Sequence, residues 1–151
     1  MDEGERPTID QLVVAEGDAD LDALLSARLT DYNYSASGVT DQLEFTVKVE
    51  DDGGQLVAGL SGWTWGTCAG IAMVWVREDN RQSGWGARML EAAEQVVRER
   101  GCEQITVSSL TFQAPGFYGR HGYVETGRTE GLPLDGMADV HFVKWLVPTG
   151  K

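Results

Sequence analysis

Two short glycine-containing segments hold the residues whose types and spacing have the clearest chemical meaning. The first, Arg81-Gln82-Ser83-Gly84-Trp85-Gly86, stands between an apolar run and a helix-like segment that ends near Arg100. A strand, a glycine-rich turn and a helix start bring unpaired N–H groups together, and the helix dipole adds positive potential. Glycine lets an anion approach the backbone, so the segment predicts a phosphate-binding turn, although such a turn is also typical of an ordinary strand-to-helix loop.

The second segment, Phe117-Tyr118-Gly119-Arg120-His121-Gly122-Tyr123, follows another apolar run, Ile105 to Leu110. Together the two segments resemble the signature of the GCN5-related N-acetyltransferase (GNAT) superfamily, in which Arg-x-x-Gly-x-Gly precedes a tyrosine and a Gly-Tyr pair. The resemblance covers Leu56 to Tyr123 well. It implies that acetyl-CoA is the cofactor, with its pyrophosphate on the amides of the first segment.

The resemblance also implies a fold class: α/β, with a mixed, mostly antiparallel central sheet of about seven strands and helices on both faces. In that fold the fourth and fifth strands splay apart, and the gap binds the pantetheine arm as an added strand would. By position the fourth strand is Ala69 to Val76. The implied cofactor-binding residues are Val74, Val76, Arg81, Gln82, Ser83, Gly84, Trp85, Gly86, Ala87 and Thr111, the last in place of an asparagine common in the family.

The same resemblance assigns Tyr118 as the general acid that protonates the departing thiolate. A phenol ordinarily has a pKa near 10, close to that of a thiol, so the proton transfer is nearly balanced. The alternative is that Tyr118 only packs against the cofactor with Phe117. The general base stays open among Glu44, Asp41, Asp31, Glu125, His141 and an ordered water.

An acceptor pocket is expected between the end of the first helix and a strand hairpin. Aromatic rings there could hold a cation by cation–π contact or stack on a planar group, and the alternative is core or dimer packing. The candidate acceptor-binding residues are Tyr32, Asn33, Glu44, Trp63, Trp65 and His141, with Tyr34 beside them.

Hydrophobic patterning predicts the elements that carry these residues. A first strand is expected at Asp10 to Glu16, and Asp18 should cap a helix that fades near Tyr32 to Tyr34. In the long helix from Gly84 to Arg100, Glu94 is expected to face water and to pair with Arg98. The remaining predicted strands are Leu43 to Val49, Leu56 to Trp65 with a bulge at Gly59 or Gly62, Ala69 to Val76, Ile105 to Leu110, Tyr123 to Arg128 and Asp139 to Val147, with a short helix from Pro115 to Arg120.

Length and charge restrict the function further. The 151 residues suit one domain, predicted as an acidic arm at residues 1–8 followed by a single domain at 9–151. The formal net charge of −12 argues against nucleic acid as a ligand and suits a cationic amine, although solubility or a salt-rich habitat would explain it equally. Two cysteines are too few for a metal site and are expected to be structural.

Location and assembly follow from what the sequence lacks. It has no run of eighteen apolar residues, and its first residues are acidic, so neither a membrane span nor a secretory signal is expected. A cytoplasmic protein without a membrane partner is the expectation. The oligomeric state stays open, with a homodimer as one alternative.

These observations lead to one functional prediction with two alternatives. We expect an acetyl-CoA-dependent N-acetyltransferase that acts by direct attack of a primary amine on the thioester. The amine is expected to belong to a polyamine-like compound, an amine-bearing antibiotic or toxin, or an amino-acid derivative. The alternatives are acetylation of a protein lysine or N-terminus, and a non-catalytic regulatory module that binds coenzyme A.

Overall fold

The computed structural model describes residues 11–146, which divide into two compact units between Gly38 and Val39. The first unit contains helix α1, Ala19–Ser37. Asp18 caps it as predicted, because its side chain accepts a hydrogen bond of 3.0 Å from the Leu21 amide. The helix runs a turn further than expected, to Gly38, which adopts the left-handed conformation (φ 75°) that ends helices.

The start of the chain differs from its prediction. Residues 11–16 form no strand, so the expected strand at Asp10 to Glu16 is wrong over its described part. Its apolar centre, Leu12 to Val14, is only three residues long, too short a run to specify a strand by itself. The acidic arm at residues 1–8, together with Asp10 and Val147 at the edges of predicted strands, lies outside the described residues.

The second unit is built on a mixed sheet with six strands among its described residues. The strands are β1 (Leu43–Glu50), β2 (Leu56–Trp65), β3 (Cys68–Val76), β4 (Gln104–Leu110), β5 (Val124–Glu130) and β6 (Ala138–Trp145), in the spatial order β1-β2-β3-β4-β6-β5. Within it β3 and β4 run parallel and the other neighbouring pairs are antiparallel. The predicted fold class is confirmed, with six strands in place of about seven because the first one does not form.

Two helices of this unit pack on one face of the sheet. They are α2, Trp85–Glu99, which crosses β1, β2 and β3, and α3, Pro115–Arg120, which contacts β4 and β5. Both belong to one hydrophobic core, in which Met89, Leu90 and Val97 of α2 are buried with Ile105 and Val140 of the sheet. Apolar residues at helical spacing on α2 therefore produce the core that the sequence predicts.

Glu94 departs from its prediction. It is buried on the core side of α2, where its Oε1 lies 2.5 Å from the Lys144 Nζ and accepts a hydrogen bond of 3.4 Å from the Tyr123 hydroxyl. The expectation of a water-facing Glu94 paired with Arg98 is wrong. Residues distant in the sequence cover this part of α2, so the helical spacing of polar and apolar residues could not predict that Glu94 is buried.

The parallel pair β3–β4 is short and then opens. Cys68 to Gly70 pair with Gln104 to Thr106, and beyond these residues the two strands diverge. A bulge begins at the same level, because Ser61 pairs with Met73 and Gly62 with Ile71, which leaves Ala72 as an extra residue in β3. The bulge thus falls at Gly62, one of its two predicted positions, but the additional residue, Ala72, belongs to β3 and not to β2. A bulge bends its strand and increases its twist, which favours the separation of β3 from β4.

Within residues 11–146 no helix is long and apolar enough to cross a membrane. The same residues contain no cluster of three or more acidic, histidine or cysteine side chains arranged to hold a metal ion. Cys68 and Cys102 are both free thiols, and burial raises the pKa of each.

Candidate active site

The gap between β3 and β4 opens into two adjoining cavities. The larger has a volume of about 790 Å³ and the smaller about 450 Å³. Both linings include Ile71 and Ala72 from β3 and Val107 and Ser108 from β4. The two cavities therefore meet where the strands separate.

The start of α2 forms one wall of the larger cavity. Gly84 caps this helix with φ 84°, and a glycine has no side chain to bind the amides of the first turn. Gly84, Gly86, Gln82 and Ala87 all line the cavity. A Cβ at Gly86 would lie 3.4 Å from the Phe117 ring, so this glycine lets α3 pack closely against α2. The arrangement presents a helix N-terminus to an anion.

Two cations line the same cavity, Arg81 and Arg120, and no carboxylate does so among the described residues. This is notable in a chain with a net charge of −12. Arg81 also ties the turn to the sheet, because its Nε donates a hydrogen bond of 3.0 Å to the Val76 carbonyl. The local charge therefore favours an anionic ligand, in contrast to the protein as a whole.

The other predicted cofactor-binding residues divide into two groups. Val74 and Val76 line the larger cavity, whereas Ser83, Trp85 and Thr111 do not. The Ser83 hydroxyl donates to the Asn80 carbonyl, the Trp85 ring lies 4.3 Å from the Arg88 guanidinium, and the Thr111 hydroxyl accepts from the Ala138 amide at 3.1 Å.

Sequence reasoning missed several lining residues of the larger cavity. Arg120 stands in the same segment as Tyr118, and its positive charge was the available signal for an anion-binding role. The others include Met73, Trp75, Ser108, Ser109, Phe112 and Gln113. In the sequence these residues have the patterns of ordinary strand and loop residues. They line a cavity only because β3 diverges from β4.

Tyr118 lies at the wall of the larger cavity within an aromatic cluster. Its ring is 5.2 Å from Phe117 and 5.7 Å from Tyr123, both in edge-to-face geometry. Burial raises the pKa of the Tyr118 phenol above its ordinary value, so the hydroxyl keeps its proton throughout the neutral range. Tyr123 lies outside the cavity lining, and its pKa is raised by burial and by the neighbouring Glu94 carboxylate.

The smaller cavity lies on the sheet face opposite α2 and α3. Its wall includes the Trp63 indole, which packs on the backbone of Gly70, with Thr106, Thr126 and His141 nearby. Among the described residues of this lining, His141 is the one side chain with a basic nitrogen.

His141 is held between two hydroxyl groups from neighbouring strands. Its Nδ1 lies 2.8 Å from the Ser108 Oγ on β4, and its Nε2 lies 3.0 Å from the Thr129 Oγ1 on β5. Ser108 is opposite His141 in the β4–β6 register, so both side chains lie on the same face. The sequence predicted His141 as a candidate, but the two hydroxyl partners come from strands that only the fold brings together.

Two of the other acceptor candidates, Glu44 and Trp65, have different surroundings in the second unit. Glu44 is exposed on β1 and is not part of either lining, and the Trp65 indole donates a hydrogen bond of 2.8 Å to the Val39 carbonyl. Tyr32 and Asn33 belong to α1 in the first unit, as do Tyr34 and Asp31. Of the other base candidates, Asp41 accepts a hydrogen bond from the Gly66 amide, and Glu125 pairs with Arg128 at 2.7 Å.

Comparison with known proteins adds a family and several relatives. The model of the acetyltransferase (GNAT) family matches residues 11–123. The chain is 40% identical over 74 residues to a blasticidin-S acetyltransferase of Streptomyces morookaense, a match that spans 46% of this chain and 52% of that protein. It thus covers about half the length of that curated relative.

Two further matches cover more of the chain. An acetyltransferase of Agrobacterium fabrum is 26% identical over 110 residues, which is 73% of this chain and 80% of that protein. The crystal structure of an acetyltransferase from Bacillus cereus superposes with a TM-score of 0.74 at 29% identity, covering 89% of this chain and 98% of the other. The chain therefore shares its overall fold with this solved acetyltransferase.

Proposed function

This chain belongs to the acetyltransferase (GNAT) family and is an acetyl-CoA-dependent enzyme, and on that premise we propose that it acetylates the primary amine of a small molecule. The observation that carries the proposal is the junction of two cavities at the opened β3–β4 gap. One cavity combines a helix N-terminus with two arginines, and the other is lined by aromatic and neutral polar groups. An anionic cofactor and a small amine therefore each have a suitable environment.

The residues of the larger cavity fit the chemical groups of the cofactor. The amides of the turn from Gln82 to Ala87 would bind the pyrophosphate, with Arg81 adding charge. Arg120 would bind a further phosphate oxygen. The backbone of β3 around Val74 would bind the pantetheine arm, since β4 no longer pairs with that part of the strand. When bound there, acetyl-CoA supplies an acetyl group activated as a thioester.

Tyr118 would donate a proton to the departing sulfur. Its position on the wall of the larger cavity supports this role, and so does its raised pKa, which keeps the phenol in its protonated form. A positioned proton donor typically contributes about 10²- to 10⁴-fold to a rate.

The smaller cavity supports a small acceptor. Its volume of about 450 Å³ lies in the range of ordinary ligand pockets, and Trp63 offers a flat apolar wall. The relative named as a blasticidin-S acetyltransferase is consistent with an amine-bearing antibiotic, while a polyamine or an amino-acid derivative would fit a cavity of this size. A protein lysine or N-terminus would require a groove open to a polypeptide.

The test is an amine panel with acetyl-CoA, in which release of free thiol is followed. The panel contains blasticidin S, spermidine, an aminoglycoside, an amino acid, and a lysine-containing peptide. We expect saturable thiol release with at least one small amine and an acetylated product of the matching mass. Turnover of the peptide alone would favour a protein acceptor, and tight binding of acetyl-CoA without turnover of any amine would favour a binding module.

A further inference from the structure

We propose that Ser108 and His141 form a proton relay, oriented by Thr129, that takes the proton from the acceptor ammonium. This inference rests on the proposed function and identifies the base that the acceptor side of the reaction requires. An ammonium group has no free electron pair, so it must lose a proton before it can attack a thioester.

The relay is continuous across three neighbouring strands. The distances from His141 to the two hydroxyl oxygens, 2.8 Å for Ser108 and 3.0 Å for Thr129, are both within hydrogen-bond range. The three side chains share the sheet face that carries the smaller cavity. No other side chain among the described lining residues of that cavity carries a basic nitrogen.

The relay requires one of the two neutral tautomers of His141, since either ring nitrogen can donate to its hydroxyl partner. If Nε2–H donates to the Thr129 hydroxyl, Nδ1 has a free electron pair directed at the Ser108 hydroxyl. Ser108 can then donate its proton to Nδ1 while its oxygen accepts one from the substrate. In the relay, Thr129 is the positioning residue that accepts the hydrogen bond from Nε2–H, which leaves Nδ1 as the basic nitrogen.

Ser108 is located where the reaction must occur. It lines both cavities, whereas His141 lines the smaller one alone. An amine in the smaller cavity and a thioester in the larger one would meet beside the Ser108 hydroxyl. The hydroxyl would touch the substrate, and the imidazole would act through it.

Few charged groups surround His141 on its face of the sheet. Asp139 stands two residues away on β6 and faces the same side, where it would stabilise an imidazolium. The facing residues of β4 are Thr106, Ser108 and Leu110, and those of β5 are Val124, Gly127 and Thr129, all uncharged. Glu125 and Arg128 of β5 are in register with Phe142 and Val140, so they lie on the other face.

The proton balance of the step is complete. Ser108 accepts one proton from the ammonium and passes its own proton to the Nδ1 of His141, which leaves a neutral amine. The amine electron pair forms the new N–C bond to the acetyl carbon as the C–S bond breaks. Tyr118 gives its proton to the thiolate and is reprotonated from the new amide nitrogen, and His141 releases its proton to solvent.

The experiment compares kcat/KM across pH for the parent and four variants, using the most active amine of the panel. His141→Asn and Ser108→Ala remove the proton acceptor and the relay hydroxyl, Ser108→Thr keeps the hydroxyl, and Thr129→Val removes the positioning group. We expect the first two to lose about 10²-fold at pH 7 and to recover activity as the pH approaches the ionisation of the amine itself. Ser108→Thr should keep the parental pH dependence, and Thr129→Val should give an intermediate loss.

Calorimetric binding of acetyl-CoA identifies variants that remain folded. An unchanged pH profile in a folded His141→Asn variant would overturn the relay, and so would an equal loss at every pH, which indicates a structural role. Failure of the proposed function is distinguishable, because the parent itself would then acetylate no amine. In that case ¹⁵N NMR of the imidazole identifies the tautomer of His141, with His121→Gln used to assign the two histidines of the chain. Protonation of neutral His141 on Nε2 supports the relay, and protonation on Nδ1 contradicts it.

Discussion

The indole of Trp63 rests on the backbone of Gly70, so closely that a Cβ atom on Gly70 would overlap the ring. The two residues are opposite each other in the β2–β3 register, and Gly70 is also the last residue of β3 that pairs with β4. The ring therefore stands at the point where the sheet opens and forms a wall of the smaller cavity. Any side chain at position 70 must move this wall.

Gly70→Ala tests the role of that wall. We expect the displaced Trp63 ring to raise KM for the acceptor amine by about tenfold or more, equivalent to ~1.4 kcal/mol of binding. The dissociation constant of acetyl-CoA should change little, since neither Gly70 nor Trp63 lines the larger cavity. Gly59→Ala is the matched control on β2, because a Cβ there meets its neighbours at 3.7 Å or more. Equal effects of the two substitutions on the amine KM would show that displacement of the Trp63 ring does not affect acceptor binding.

Gly84→Val tests the phosphate-binding turn. Gly84 and Gly101 both have positive φ, 84° and 81°, and a Cβ atom at either position would meet nothing within 4 Å beyond its chain neighbours. Valine at either site should cost about 1–3 kcal/mol of folding free energy through backbone strain. Only Gly84→Val should also weaken acetyl-CoA binding, by about tenfold or more. Calorimetry on the two variants measures this difference, and equal affinities would place the phosphates elsewhere.

Tyr118→Phe keeps the buried ring and removes the proton. We expect kcat to fall by about 10²- to 10⁴-fold with little change in acetyl-CoA affinity. Tyr123→Phe is the control, because this neighbouring hydroxyl binds Glu94 outside the cavity. Since burial raises the pKa of Tyr118, the parental rate should show no loss of the acid form between pH 7 and about 10. An unchanged kcat in Tyr118→Phe, with chemistry limiting the rate, would remove Tyr118 from the acid role.

Glu94→Gln tests the ion pair in the core. The Glu94 side chain is 9% exposed and that of Lys144 is 22% exposed, so the charge left behind is only partly reached by water. We expect a loss of about 2–4 kcal/mol in unfolding free energy, measured by urea denaturation. The double variant Glu94→Gln with Lys144→Met should be less destabilised than the sum of its single changes. Simple additivity would show that the two charges do not interact.

Alkaline pH should destabilise the fold through its buried tyrosines. The pKa values of Tyr118 and Tyr123 are both raised in the folded state, so their contribution is complete below pH 10 and is lost as the pH rises above it. Each group should lower the unfolding free energy by roughly 1.4 kcal/mol per pH unit in that range. In urea unfolding at pH 9 to 11.5, the unfolding free energy should therefore fall less steeply with pH for Tyr123→Phe than for the parent. Parallel declines would contradict a raised pKa of Tyr123 in the folded state.

Local sequence patterns predicted the structure correctly where the conformation of a residue depends mainly on its neighbours in the sequence. The helix start at Asp18, the long helix after Gly84 and the alternating strand at Leu43–Glu50 follow from capping and hydrophobic period. The resemblance carried by Arg81, Gly84 and Tyr118 led to the family and the cofactor. The same local reasoning failed at residues 11–16, where three apolar residues did not make a strand.

What the sequence determined by itself was therefore most of the elements, the family and the glycine turn that precedes α2, because these depend on residues close together in the chain. The tertiary structure decided the environment of each reactive group. It buried Glu94 against Lys144, brought Arg120 to the same cavity as the glycine turn, and set the His141 ring between Ser108 and Thr129. These pairs are between 12 and 50 residues apart in sequence, so their contacts depend on strand order and on the opening of β3 from β4, which local hydrophobic period does not encode.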